Sequence, residues 1–201
     1  MLTADSGDYN LITNAVAKVK DINGLTCEIG LRGGGGSYYV MEALSSTNQN
    51  KTHIAIDPYG NIEYESHENR KVRLGYTNSM RDQCMIDIYT AAKFLNVNFL
   101  FFPLEDTEFF KRYKNGVPVY QEFKTLINKY SFVHFDGPHA IKPLIKEFNF
   151  FHSRMDKGAT IVFDDVTSYY DHDLLEQKHI LPAGWELLEK TTKKASYAKV
   201  V

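Results

Sequence analysis

The sequence predicts an α/β fold, a mostly parallel sheet with helices packed on both faces. Apolar runs of strand length alternate with stretches of helical periodicity through five successive units, the pattern of β–α repeats. The runs Phe99–Phe102 and Ile161–Phe163 show no polar alternation, as expected of strands covered on both sides. Two further strand-like segments, joined by a short basic turn, end the sequence and read as an antiparallel hairpin.

Bulk composition is compatible with that reading. A chain of 201 residues suits one domain, 1–201, with an N-terminal helical segment over 1–22 and a core over 23–201. Hydrophobic residues make up 43% and charged residues 24%, ordinary globular values. A net charge of −2 without a basic run gives no footprint for nucleic acid. No stretch approaches the ~20 apolar residues of a membrane span, and Met1 to Asp8 has no apolar signal-peptide region. The expectation is a soluble, cytoplasmic protein with no nucleic-acid or membrane partner. Cys27 and Cys84 lack metal-site spacing and are expected as buried, reduced thiols.

Leu11, Ile12, Ala15, Val16 and Val19 recur at helical spacing, predicting a helix over about 8–20. Leu25 to Ile29 is the first strand. It runs into Gly30 and the glycines Gly33, Gly34, Gly35 and Gly36, and a helix follows from Ser37 to about Ser45. His53 to Gly60 holds the second strand, stopped by Pro58 and Gly60. Residues 60–78 are polar and irregular, a functional loop or lid by length. Met80, Cys84, Ile88, Ala91 and Leu95 trace the next helix, and Asn98 to Leu104 the third strand. A helix is expected from Glu108 and another over Val119 to Lys129. Ser131 to Asp136 is the fourth strand. The stripe Ile141, Leu144, Ile145, Phe148, Phe151 and Met155 predicts a helix that Gly158 ends. Ala159 to Phe163 is the fifth strand, a helix lies around 171–180, and Trp185–Lys190 and Ser196–Val201 form the hairpin.

Open α/β sheets bind ligands beyond the carboxyl ends of their strands, where strand order reverses. All five strand ends carry carboxylates: Glu28, Asp57, Glu105 with Asp106, Asp136, and Asp164 with Asp165. One such Asp alone reads as a turn former or helix cap; five together point to a site. The glycine turn lets a ligand approach the backbone and aims helix-start N–H groups at a negative charge. It has no following lysine, so it is not a triphosphate loop, and it does not give the spacing of dinucleotide enzymes. Asp57, about twenty residues on, stands where a ribose-binding acid belongs, although an Asp-Pro turn is the alternative.

These residues, with the hairpin end, resemble a class I S-adenosylmethionine-dependent methyltransferase from about residue 25 to 201. Phe135-Asp136-Gly137-Pro138-His139 and Gly158 to Asp165 are similar to the small-molecule O-methyltransferases of the sugar and macrolide type. The resemblance implies a three-layer Rossmann-like methyltransferase fold with a seven-stranded, mostly parallel sheet and a C-terminal antiparallel hairpin. It implies that Gly30, Gly33, Gly34, Gly35, Gly36 and Ser37 cradle the methionine part of S-adenosylmethionine. Glu28 would organise that loop, Asp57 hold the ribose, and Glu105 and Asp106 lie near the adenine, with Asp136 also at the cofactor. A small-molecule acceptor is the implied partner, and a homodimer is left open.

Asp136, Asp164 and Asp165 on neighbouring strand ends crowd negative charge, which raises their pKa values or demands a cation. In related metal-dependent enzymes these positions bind a hard divalent ion, here Mg²⁺, Ca²⁺ or Mn²⁺. The other reading gives Asp164 to cofactor or substrate and Asp165 to a helix cap. His139 is the candidate general base, against a packing role. Some sugar methyltransferases carry an acid where this sequence has Pro138, which shifts the base role to His139. The remaining histidines read as structural or surface residues. A metal-independent N-methyltransferase and a non-catalytic nucleoside-binding module are the rival functions; the hairpin end disfavours an NAD-dependent oxidoreductase.

Overall fold

The computed structural model describes residues 6–60, 62–65, 71–73, 75–138, 140–167 and 171–201. After helix α1 (Asn10–Lys18), strand β1 (Leu25–Ile29) is buried at every position. Helix α2 (Gly35–Ser46) leads to β2 (Thr52–Ile56), likewise buried throughout. In the polar stretch beyond it, β3 (Tyr64–Glu65) pairs antiparallel with β4 (Lys71–Val72). Then come α3 (Asn78–Leu95), β5 (Asn98–Phe102) and α4 (Asp106–Arg112). Strands β6 (Val117–Tyr120) and β7 (Lys124–Ile127) precede β8 (Tyr130–Phe135), α5 (Ile141–His152) and β9 (Met155–Phe163). The short α6 (His172–Leu175) runs through a π-helical turn into β10 (Trp185–Lys190) and β11 (Ala195–Lys199).

Seven strands form one sheet in the order β10-β11-β9-β8-β1-β2-β5. The chain moves outward from β1 through β2 to β5, then returns to β8 on the other side of β1. Strand order therefore reverses at β1 and β8, and that is where a crevice opens in such sheets. The last strand, β11, inserts between β9 and β10 and runs antiparallel to both. Register places Glu28 beside Ala55 on one side and His134 on the other, so strand pairing sets these side chains on one face.

One apolar cluster packs Phe109, Phe135, Phe148, Phe151, Phe163 and Trp185 against one face of the sheet. The other packs α1, α2 and α3 through Ile12, Val16, Met41, Leu44 and Ile88. The two-sided cover explains the unbroken apolar strands. Among the described residues no helix is long and apolar enough to cross a membrane.

Two elements differ from the sequence expectation. Residues 119–129 are not helical but belong to the β6–β7 hairpin, in which Val117 and Val119 are buried and Tyr120 faces out. That is a period of two, and Gln121, Glu122 and Phe123 form its tip. The second difference is the end of α5, at His152 rather than near Gly158. Met155 starts β9 and joins the same apolar cluster as Phe151, which is why it continued a helical stripe in the sequence. Gly158, at φ +88°, lies where the β8–β9 register shifts, the mark of a bulge rather than of a helix end.

Candidate functional site

The turn after β1 brings two strand ends into close approach. Gly30 has φ +87°, and a Cβ there would stand 2.1 Å from the Asp136 carbonyl oxygen. No side chain fits between the ends of β1 and β8. The chain then turns through Leu31 to Gly34, whose left-handed backbone caps α2 without any side-chain hydrogen bond. The first N–H groups of α2, from Gly35 to Ser37, have no partner within the helix. They form an anion-binding end at the point where strand order reverses.

Beneath this turn lies a buried polar chain. Ser37 donates its hydroxyl hydrogen to Glu28 Oε2, and His134 Nδ1 lies 2.8 Å from Glu28 Oε1. His53 Nε2 is 2.8 Å from Ser37 Oγ, and Thr26 Oγ1 is 3.0 Å from His53 Nδ1. Burial pushes the His53 pKa down to about 3, so its ring is neutral. One direction satisfies the chain: Thr26 donates to Nδ1, Nε2–H donates to Ser37, and Ser37 donates to Glu28. Gly36 completes the fit, since a Cβ there would fall 1.9 Å from Glu28 Oε1. Both Glu28 oxygens are engaged by the protein, and Ser37 offers a ligand its N–H, not its hydroxyl. His53 and His134 were read from the sequence as structural. The signal for their place here is the two-residue alternation that sets them on the Glu28 face.

Asp57, nearly buried at the end of β2, accepts the N–H groups of Leu31 and Arg32 on Oδ2, at 2.9 and 3.0 Å. Its Oδ1 accepts the Tyr59 N–H at 2.9 Å. Burial raises its pKa against these three bonds. A carboxylate has about four lone-pair positions, so one remains on Oδ1 for a hydroxyl donor. Tyr59 donates its own hydroxyl to the Arg32 carbonyl, tying β2 to the glycine turn a second time.

At the end of β5, Glu105 is an exposed N-terminal flank of α4, without a side-chain cap bond. Asp106 is half-buried, with its pKa raised by burial. Its carboxyl group meets that of Glu147, which is fully buried on α5 and pushed well above the usual carboxylate range by burial and then by Asp106. No N–H or O–H among the described residues reaches the Glu147 oxygens. Burial and the neighbouring Asp106 carboxyl both favour the neutral form of Glu147. A Cβ on Gly137 would lie 3.5 Å from Glu147 Oε1, which sets this pair beneath the end of β8. Sequence reading missed Glu147. Its signal was an acid on the apolar stripe of α5, between Leu144 and Phe148.

The ends of β8 and β9 are arranged differently from each other. Asp136 donates its N–H to the Ile29 carbonyl at 2.9 Å. Its carboxylate falls with Glu28 and His134 in a group whose ligand atoms lie within 4.8 Å of one another, the one such group found among the described residues. Asp164 belongs to another cluster. It accepts a hydrogen bond from the Lys194 ammonium on Oδ2, and from the Ser6 hydroxyl at 3.2 Å and the Asp165 N–H at 2.8 Å on Oδ1. Burial would raise the Asp164 pKa, but His134 and Lys194 together outweigh it and hold the carboxyl below its usual range. Asp165 follows in the left-handed region at φ +52°. His139 lies outside the described residues, as does His67. Two clefts, of about 190 and 550 Å³, lie elsewhere, the first against the β6–β7 hairpin and the second between α1 and the β10–β11 hairpin.

The sheet reverses at β1, with a helix start free of side-chain caps at that reversal and a buried acid at the end of β2. Residues 27–166 match the protein family described as Methyltransferase domain. The chain belongs to that family. The Rossmann-like methyltransferase fold expected from the motifs, with its seven-stranded, mostly parallel sheet and antiparallel hairpin, is the fold it has. Among solved structures it is similar to CalS11, a calicheamicin methyltransferase, with a TM-score of 0.68 and 12% identity over 94% of this chain and 78% of that one. It is similar to the O-methyltransferase NovP, with a TM-score of 0.65 and 15% identity, covering 97% and 81%. An O-methyltransferase from Bacillus cereus, in complex with S-adenosylhomocysteine, gives 0.57 and 12%, covering 98% and 84%. At such identities these likenesses establish the fold. A curated relative, uncharacterized protein R132 of Acanthamoeba polyphaga mimivirus, is 36% identical over 59 residues. That match spans 29% of this chain and 27% of the relative's length.

Proposed function

We propose that this methyltransferase domain transfers a methyl group from S-adenosylmethionine to an oxygen of a small molecule. The observation that carries the reading is the uncapped start of α2 at the sheet's reversal, beside a carboxylate with one acceptor position to spare. These residues fit the cofactor. The N–H groups of Gly33 and of Gly35 to Ser37 suit its carboxylate, the free Oδ1 position of Asp57 suits a ribose hydroxyl, and Glu105 with Asp106 flanks the adenine end. Glu28 holds Ser37 and so fixes the helix start. Bound there, the cofactor supplies an electrophilic methyl group on a sulfonium.

The chain's own part is positioning. Strand ends β1 and β8, locked together at Gly30, fix the donor side of the pocket, and the ends of β8 and β9 border the acceptor side. Holding two reactants in line is the main source of rate in such a transfer. His139 is the proposed acceptor of the hydroxyl proton. The small-molecule acceptor is supported by the naming of CalS11 as a calicheamicin methyltransferase and by a net charge of −2 without a basic run.

A divalent ion on Asp136, Asp164 and Asp165 does not fit the donor set. Asp164 is committed to an ammonium and Asp136 groups with Glu28 and His134 instead. No step is routed through a metal.

Calorimetry with S-adenosylhomocysteine tests the reading. One equivalent is expected to bind, and Asp57→Asn to weaken it by about tenfold or more, the scale of a lost charged hydrogen bond. Absence of heat at millimolar ligand with folded protein would sink it.

A further inference from the structure

Lys194 is fully buried, a rare state for a lysine unless its charge is paired. The fold delivers it to the acceptor side by a specific route. Strand β11 inserts beside β9, with Ala195 opposite Phe163, which brings the residue before β11 level with Asp164. The turn that carries Lys194 is fixed from both directions. Thr191 and Lys194 bond across it, with Thr191 N–H to Lys194 O at 2.8 Å and Lys194 N–H to Thr191 Oγ1 at 2.9 Å. The Val166 N–H then donates to the Lys193 carbonyl at 3.0 Å, and Thr167 donates to the Thr192 carbonyl, so the turn is clasped to the end of β9.

The ammonium donates to Asp164 and to Ser6 Oγ, at 2.9 Å for the latter, and stands 5.3 Å from the centre of the Tyr9 ring. Asp164 Oδ1 is filled by Ser6 and the Asp165 N–H, and Oδ2 carries the lysine. A hard divalent ion needs several bare oxygens at 2.0–2.6 Å. Here it would meet a carboxylate that already accepts three donors, beside a fixed positive charge.

We propose that the ε-ammonium of Lys194 is the resident cation of the acceptor side, taking the place of a divalent ion at Asp164. It neutralises the buried carboxylate, so that no net negative charge from Asp164 opposes deprotonation of an acceptor hydroxyl beside it. The transfer keeps its balance without a metal. The methyl carbon's bond to sulfur breaks with its electron pair staying on sulfur, the bond to the acceptor oxygen forms, and the hydroxyl proton leaves to a general base. A metal-free site is therefore compatible with an oxygen acceptor. Lys194 is a positioning residue, and its part in transfer rests on the proposed function; its identity as the cation does not.

Manganese binding, followed by electron paramagnetic resonance on the full chain, tests this, with S-adenosylhomocysteine binding measured on the same sample. The wild type is expected to show no saturable Mn²⁺ site up to millimolar metal. Lys194→Met, which frees Asp164, is expected to bind Mn²⁺ at least tenfold more tightly. One equivalent of Mn²⁺ bound by the wild type overturns the proposal, whether Asp164→Asn or Asp136→Asn abolishes it. So does a folded Lys194→Met that gains no site. If Lys194→Met fails to fold, the wild-type titration decides alone. A sample that binds neither Mn²⁺ nor S-adenosylhomocysteine leaves the cation assignment standing and refutes the methyl-transfer reading.

Discussion

Burial raises the Glu147 pKa and favours the protonated carboxyl in the folded chain, whereas the unfolded chain releases that proton above the ordinary glutamate pKa of about 4.3. The folded state thus binds more protons than the unfolded one at neutral pH. Its stability from this group falls as pH rises above that value, by up to about 1.4 kcal/mol per pH unit for one proton. Glu147→Gln is expected to flatten that slope between pH 5 and 7, read from urea midpoints across pH. An unchanged slope would mean that Glu147 is charged in the fold. His53 and His172 act in the opposite sense. Burial depresses them to about 3 and about 4, so stability is lost as pH falls below about 6.5. Gly30→Ala places a methyl group on the Asp136 carbonyl at a left-handed position, and a loss of about 3 kcal/mol or more in denaturant titration is expected. Glu28, Asp57 and Asp164 were legible because each ends an apolar run. Glu147 and Lys194 were not, because their partners lie on other elements and sequence spacing carries no record of that contact.

At the level of elements, the start of α2 and the β10–β11 turn each carry a buried side-chain bond. Ser37→Ala removes the donor that ties α2 to Glu28. The expected result is a roughly tenfold weaker affinity for S-adenosylhomocysteine, about 1.4 kcal/mol, in a chain with unchanged secondary structure. An unchanged affinity would show that the helix start is held by packing alone. In the turn, Lys194→Met strands a buried carboxylate and is expected to cost about 3–5 kcal/mol. Adding Asp164→Asn should recover part of that loss, and a double-mutant cycle measures the coupling. A cycle with strictly additive costs would refute the ion pair. The helices and central strands were readable from periodicity. The β6–β7 hairpin was not, because Tyr120, Phe123 and Ile127 recur at helical spacing, and only burial of alternate residues decides between the two.

For the whole molecule, the alternation of strands and helices fixed the parallel sheet in advance, and the reversal at β1 followed from the fold class. Strand order at the C-terminal edge did not. A hairpin pattern says that β10 and β11 pair, but not which of them lies against β9. That choice puts Lys194, rather than a residue of β10, beside Asp164, and so it decides which cation neutralises that carboxylate.

The central claim is that the backbone N–H groups of Gly33 and of Gly35 to Ser37 hold the methionine end of the cofactor. Hydrogen–deuterium exchange with and without saturating S-adenosylhomocysteine measures it directly. Slowed exchange centred on residues 33–37, with smaller protection at the ends of β2 and β5, is the expected result. Bound ligand with unchanged exchange across 33–37 would contradict the account.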